Sequence, residues 1–176
     1  SNFHEQTYAA CRRLRNSGES VYAQLTDDIF RISGYCTLFW ELLEQTKAQG
    51  FVPDYVLVPS CSGALARAAD HAFKVAVEWG LITREEIPGI VIVQEAGAGP
   101  IYSAYSQNQQ ICERIVIEQP PVAVAISASN SRSGTACLEM LTKDDNHCVG
   151  CDRGEILEDF ESLSKAGLTY EVGSTT

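Results

Sequence analysis

Two short runs in this chain are apolar throughout, and they restrict its possible folds more than any other feature. One is Tyr55-Val56-Leu57-Val58; the other is Gly89-Ile90-Val91-Ile92-Val93, followed by Gln94. A strand with one face in water alternates apolar and polar side chains, whereas a strand without alternation is buried on both faces, as parallel strands are. Between the two runs lies an alanine-rich stretch from about Ser62 to Trp79, with the spacing of a helix and Gly80 as its stop. Strand, helix, strand in that order predicts a right-handed crossover joining two parallel strands.

The flanking sequence continues the alternation. Asn2 and Glu5 form a capping-box pattern for a helix to about Arg15, and a short strand is predicted over Val21 to Leu25. A second helix is predicted from Ser33 to Gln49, with Leu38, Leu42 and Gln45 at helical spacing and Gly50 after it. Beyond the second apolar run, Pro100 falls in the first turn of a short helix to about Ser106. The stretch Asn108 to Ser133 is the least legible, with Pro120-Pro121, the run VAVAI and the loop-like SASNSRSG. A helix from Thr135 to Leu141, a strand near His147 to Cys151, a helix capped by Asp152 and Glu155 through Lys165, and a strand from Leu168 to Val172 complete the pattern. The expected class is α/β: one domain over residues 1–176, built on a parallel sheet with helices on both faces. With 176 residues, 45% of them hydrophobic, the chain can bury one proper core.

A formal net charge of -10 leaves no basic stripe for a nucleic-acid backbone or an anionic membrane surface. No apolar run approaches the ~20 residues of a membrane span, and SNFHEQ has no leader pattern, so the chain reads as soluble and cytoplasmic. Seven cysteines, an odd number without a framework, read as reduced thiols. Cys148-Val-Gly-Cys151, preceded by His147, has the spacing of a zinc knuckle or a redox dithiol. The remaining cysteines, His4 and His71 offer no second ligand pair at matching spacing, so two small thiols in a buried strand is the simpler reading and no metal ligand is assigned. His4, His71 and His147 have no serine or cysteine partner in an obvious elbow, so no catalytic residue is assigned either.

Open parallel sheets bind ligands beyond the carboxyl ends of their strands. In VLVPSCSGALA that position falls on Ser60, Cys61, Ser62, Gly63 and Ala64, just before a helix. Backbone N–H groups and the positive end of a helix suit an anion, and two serine hydroxyls add donors. Equally, Ser62 can be a plain N-cap and Gly63 a close-packing position. Gly34 and Thr37, placed at the start of the second helix with Glu41 one turn on, allow the same two readings, ligand approach or capping, with Phe39 and Trp40 as core.

Taken in order, GYCTLFWELLEQ, PDYVLVPSCSGALA, IPGIVIVQEAGAGPIYSAY, VAISASNSRSG and GEILEDFESLSKAGLTYEVGSTT resemble the later half of the threonine synthase branch of the fold type II pyridoxal-phosphate enzymes. The resemblance lies in order and spacing across nearly the whole chain. It implies the large domain of that fold in truncated form, a fragment of a parent enzyme that eliminates or replaces a group at the β- or γ-carbon of an amino acid such as phosphohomoserine. Diaminopropionate ammonia-lyase and threonine dehydratase are the alternative enzymes. The family's phosphate loop carries over onto Ser60, Cys61, Ser62, Gly63 and Ala64, with pyridoxal phosphate the cofactor of the parent; EVGST, Glu171 to Thr175, resembles a Glu-Pro-Ala-Ser segment, from which Val172 and Gly173 depart. The family's Schiff-base lysine has no counterpart among Lys47, Lys74, Lys143 and Lys165, and its hydroxyl for the pyridine nitrogen lies past Thr176, so the chain alone is expected to be inactive. Cys61 and Ser62 stand where relatives have glycine, which predicts a strained or altered loop. A different class of function is also open: a non-catalytic α/β domain that binds a small anion or a partner protein. In both readings, apolar surface uncovered by truncation predicts a homo-oligomer.

Overall fold

The computed structural model describes residues 2–18, 29–143 and 145–168. Helices α1 (Asn2–Asn16) and α2 (Ile29–Ala48) precede strand β1 (Tyr55–Pro59), helix α3 (Ala64–Glu78) and strand β2 (Gly89–Glu95). A 3-10 turn at Ala96–Ala98, helix α4 (Pro100–Ser106), a second 3-10 turn at Val124–Ile126, helix α5 (Gly134–Leu141), strand β3 (His147–Cys151) and helix α6 (Arg153–Lys165) follow. The strands predicted at Val21–Leu25 and Leu168–Val172 lie outside the described residues, apart from Leu168, which is not in a strand.

The sheet is parallel in the order β1-β2-β3, with Leu57 opposite Val91 and Ile92 opposite Cys148. Because sequential parallel strands with right-handed crossovers put both crossovers on the same side, one face receives most of the helices. That face carries Val58, Ile90, Ile92 and Cys148, which pack with Phe39, Leu43, Phe73 and Ile101 in the main core. On the other face, Ile156 of α6 packs with Ala123, Ile126 and Cys151, and so covers only the carboxyl end of the strands. The uncovered part leaves Tyr55 43%, Leu57 63% and Val149 44% exposed. The expectation that the Tyr55 run is buried on both faces therefore fails locally, because among the described residues β1 is an edge strand with helices over one face alone.

Helix α2 begins at Ile29, earlier than the predicted Ser33, and buries the stripe Ile32, Cys36, Phe39, Leu43 and Thr46 while Leu38 faces outward. Gly34 is therefore not at the start of the helix but on an exposed stretch inside it. Thr37 bonds the Gly34 carbonyl at 2.8 Å and Glu41 accepts from Gln45 at 3.0 Å, both within α2, while Trp40 Nε1 donates across to Ala72 O of α3 at 3.0 Å. Helix α6 opens with the predicted capping box of Asp152 and Glu155. All seven cysteines are free thiols.

Candidate anion loop at the carboxyl ends of the strands

Residues Ser60 to Gly63 connect β1 to α3 at the carboxyl edge of the sheet. Gly63 adopts φ 85°, the left-handed region, and caps α3. A Cβ there would sit 2.5 Å from Cys137 Sγ and 3.3 Å from Ser133 Cβ, so only glycine fits both the backbone angle and the approach of α5. Cys61 and Ser62 do not take positive φ; among the described residues only Asn108 does so without being glycine. The expected loop strain is thus absent, because the turn needs a single left-handed position and glycine holds it.

The loop's hydroxyls are turned inward. Gly63 N donates to Ser60 Oγ at 3.1 Å, and Ala64 N donates to Ser62 Oγ at 3.4 Å. Ser60 N bonds Val93 O at 3.1 Å, which continues the ladder one residue past the strand. Among the described residues no acceptor is recorded for the N–H groups of Cys61 and Ser62, nor for those of Leu65 and Ala66 in the first turn of α3. A 15-residue helix with its first-turn amides open adds a positive end to the same place.

Two adjacent residues of β2 brace this loop from opposite faces of the sheet. The Gln94 side chain is fully buried; its Nε2 donates to Ser60 O at 2.7 Å and Cys61 O at 3.4 Å, and its Oε1 accepts from Tyr102 N of α4 at 3.0 Å. The Glu95 carboxylate accepts from Val122 N at 3.0 Å, Ala123 N at 2.9 Å and Ser127 Oγ at 3.5 Å. Ser127 in turn receives Cys61 Sγ on its carbonyl at 3.6 Å. Farther along, Ser133 N donates to Ser62 O at 3.0 Å, and Arg67 reaches Ser133 Oγ at 3.3 Å. The irregular stretch 120–133 is therefore the second wall of the loop, a role that Glu95 imposes and that no periodicity in the sequence announces.

Burial raises the Cys61 thiol above its ordinary range, so it is protonated and unreactive at neutral pH. Desolvation pushes Cys137 and Cys148 up to about 12. Cys148 and Cys151 are three residues apart on β3 and so point to opposite faces, roughly 10 Å apart along the strand. That separation excludes a shared disulfide or a shared metal, but the strand is buried on one face alone: Cys148 is buried, Cys151 is half-buried, and His147 and Val149 are exposed.

A parallel α/β sheet with an amide-lined loop between its edge strand and the following helix defines a class of anion- and cofactor-binding domains. The chain belongs to the pyridoxal-phosphate dependent enzyme family, whose model matches residues 2–176. Among solved structures it is similar to an L-serine ammonia-lyase from the fungus Rhizomucor miehei, with 13% identity and a TM-score of 0.67 over 88% of this chain and 45% of that one. It is also similar to a threonine deaminase from T.th., with 21% identity and a TM-score of 0.60 over 85% of this chain and 49% of that one. A pyridoxal 5'-phosphate-dependent aspartate racemase matches with 18% identity and a TM-score of 0.67 over 96% of this chain and 47% of that one. The chain thus spans about half the length of each of these structures.

Members of this family use pyridoxal phosphate, and the residues present fit one end of that group. The open N–H groups of Cys61, Ser62, Leu65 and Ala66 suit a phosphate. None of the chain's four lysines bonds the loop: Lys74 pairs with Asp70 at 2.6 Å, Lys165 with Glu161 at 2.7 Å, and Lys47 bonds Leu81 O. Lys143 is exposed just past the end of α5.

Proposed function

We propose that this chain is the portion of a pyridoxal-phosphate-dependent amino-acid lyase or synthase that holds the cofactor phosphate, at Ser60 to Ala64, and that the lysine bonding the aldehyde comes from polypeptide outside this sequence. The observation that carries the reading is the pair of unclaimed amides of Cys61 and Ser62 at the head of α3, in a chain of this family. When bound, the cofactor supplies an electron sink for a carbanion at the amino-acid α-carbon. The chain's own residues anchor the phosphate by N–H donation, and the Ser60 and Ser62 hydroxyls can each turn their own proton toward it. Threonine synthase is the particular activity we favour, on the order and spacing of its segments. Diaminopropionate ammonia-lyase and threonine dehydratase are the alternatives, and neighbours described as an ammonia-lyase and a deaminase accord with an elimination.

The test is a titration of the protein with pyridoxal phosphate and, in parallel, with pyridoxal, which lacks the phosphate. Binding of the first and not the second is expected, with no stoichiometric imine absorbing at about 400–430 nm that borohydride fixes to a single lysine. Equal binding of both compounds removes the phosphate reading. A stable reducible imine removes the claim that the aldehyde's lysine lies elsewhere.

One observation favours a second reading, a non-catalytic domain. Ser60 and Ser62 already satisfy the Gly63 and Ala64 amides, as they would in a loop that holds nothing. The exposed apolar side chains of Tyr55, Leu57 and Val149 then serve association with a second copy or a partner. A monodisperse monomer by light scattering at high concentration counts against such association.

A further inference from the structure

We propose that Gln94 is a positioning residue that aims two N–H groups of the loop at a tetrahedral anion; this rests on the reading of Ser60 to Ala64 as the cofactor-phosphate loop.

The argument starts from the trans peptide, in which the carbonyl of one residue and the N–H of the next point in opposite directions across one plane. Gln94 Nε2 holds the carbonyls of Ser60 and Cys61, at 2.7 and 3.4 Å. The N–H groups in those same two peptide units are Cys61 N and Ser62 N. Fixing both carbonyls on one buried amide therefore turns both N–H groups the other way, away from the core and to the same side. These are the amides left without a protein acceptor among the described residues. Without the grip of Gln94, each peptide plane is free to rotate, and two converging donors become two independent ones.

Glutamine suits this task better than any residue of similar size. It donates from one end of its head group to the loop while its Oε1 takes Tyr102 N, the third residue of α4, so the side chain is held from both ends. It carries no charge, so full burial costs no ion desolvation. Its partner on β3 is Gly150, where a Cβ would lie 2.3 Å from the Tyr102 ring; that glycine lets α4 come close enough for the bond to Gln94.

Gln94→Glu separates the orienting role from simple packing. A carboxylate of the same shape still accepts from Tyr102 N, but it has no proton for the two carbonyls and repels them. A buried carboxyl has its pKa raised, so on acidification the neutral acid regains a donor for Ser60 O. The probe is sulfate, whose charge is constant over the pH range needed, followed through the amide shifts of Cys61 and Ser62 by NMR. The native protein is expected to shift these two amides with one saturating affinity at every pH tested. Gln94→Glu is expected to bind sulfate about tenfold more weakly above neutral pH and to recover as the pH falls. Native-like sulfate binding by Gln94→Glu at alkaline pH overturns the positioning role and leaves the phosphate loop standing. A native protein whose Cys61 and Ser62 amides ignore sulfate overturns both. If Gln94→Glu does not fold, the native protein still decides: saturating sulfate should slow exchange of the Gln94 side-chain amide protons and leave those of exposed Gln107 and Gln109 unchanged. Equal exchange with and without sulfate rejects the proposal.

Discussion

The two ends of the sheet are each held by side chains, and they differ in how far those side chains are buried. The carboxyl end relies on buried groups, while the amino end adds an exposed cluster to one buried bond, in which Asn146 Oδ1 accepts from Ile90 N at 2.8 Å. At the carboxyl end, Gln94 and Glu95 are buried and act on backbone groups, with Gln94 fixing the Ser60 turn and Glu95 fixing the segment from Val122 to Ser127. At the amino end, the Tyr55 hydroxyl donates to Asp145, and Asp145 Oδ1 meets His147 Nε2 at 3.1 Å. These groups stand in water, Asp145 and His147 with side chains 68% and 50% exposed. The amino-end tie still joins β1 to β3 over the top of β2, since Gly89 leaves room for the Tyr55 ring. Bonds to buried backbone groups set the direction of peptide planes at any salt concentration, while an exposed ionic tie is screened and contributes little to shape. The loop we propose for the cofactor phosphate lies at the end that uses the first kind of bond.

The strongest way to break this contrast is Gly63→Val. It forces a branched side chain into φ 85° and into Cys137 Sγ at 2.5 Å, where α3 and α5 are both fixed. A loss of about 3–5 kcal/mol is expected in urea denaturation; a loss below about 1 kcal/mol would show that the loop is not closed against α5 as described. Glu95→Ala comes next, at about 2–3 kcal/mol, because it leaves the half-buried Val122 N–H and the buried Ala123 N–H without their acceptor, while the Ser127 hydroxyl keeps its bond to Ala123 O at 2.8 Å. Glu95→Gln keeps a carbonyl acceptor and should recover at least half of that loss; if it is as damaging as alanine, the hydrogen bonds are not what Glu95 provides. The matching change at the amino end, Gly89→Ala, meets the Asp145 carbonyl and the Tyr55 ring at 2.6 Å. The ring belongs to an exposed side chain that can swing out, but the carbonyl is backbone and must shift, so about 2 kcal/mol is expected, below Gly63→Val because no left-handed φ is forced on the new side chain. An effect equal to that of Gly63→Val would erase the distinction between the two ends.

Much of this architecture was legible in the sequence, and the reasons differ by element. The run at Ile90 reports a strand because burial on both faces removes polar alternation, the run at Val56 reports one although Tyr55 and Leu57 are exposed, and the box of Asp152 and Glu155 reports α6 because capping is a local bond between near neighbours. The loop Ser60 to Gly63 was placed by its position between an apolar run and an alanine-rich helix. What the sequence hid is non-local. Gln94 reads as the end of a strand, Glu95 as an ordinary acid, and Ser127 and Ser133 as loop filler, because their roles depend on partners 27 to 71 residues away. The uncovered half of one sheet face was hidden for a related reason: apolar runs declare an affinity for burial, and only the strand order decides which face the crossovers cover. The start of α2 was misplaced because Gly34 and Ser33 look like boundary residues, whereas the buried stripe from Ile32 to Thr46 carries the helix through them.

The smallest expected effect sharpens the contrast through pH. The hydrogen bonds from Tyr55 and His147 hold the Asp145 carboxyl below the usual carboxylate range. A lowered folded pKa means that its contribution is complete above about pH 4 and disappears as the pH falls through the lowered value. Tyr55 shifts the other way: its bond to Asp145 and the nearby Asp145 and Asp54 charges raise its phenol above 10. Its contribution is complete below about pH 10 and is lost as the pH rises toward the raised value. The amino-end tie is therefore confined to a pH window closed on both the acid and the alkaline side, and solvent exposure keeps its amplitude small. Tyr55→Phe removes the hydroxyl from both shifts at once, so its melting temperature should lie slightly below that of the native protein in the middle of the pH range, and the two profiles should converge toward both edges. Melting profiles that stay parallel from about pH 3 to about pH 11 would mean that Tyr55 and Asp145 are not bonded, and the amino end would then be held by the buried Asn146 bond to Ile90 N alone, with no exposed tie to set against Gln94 and Glu95.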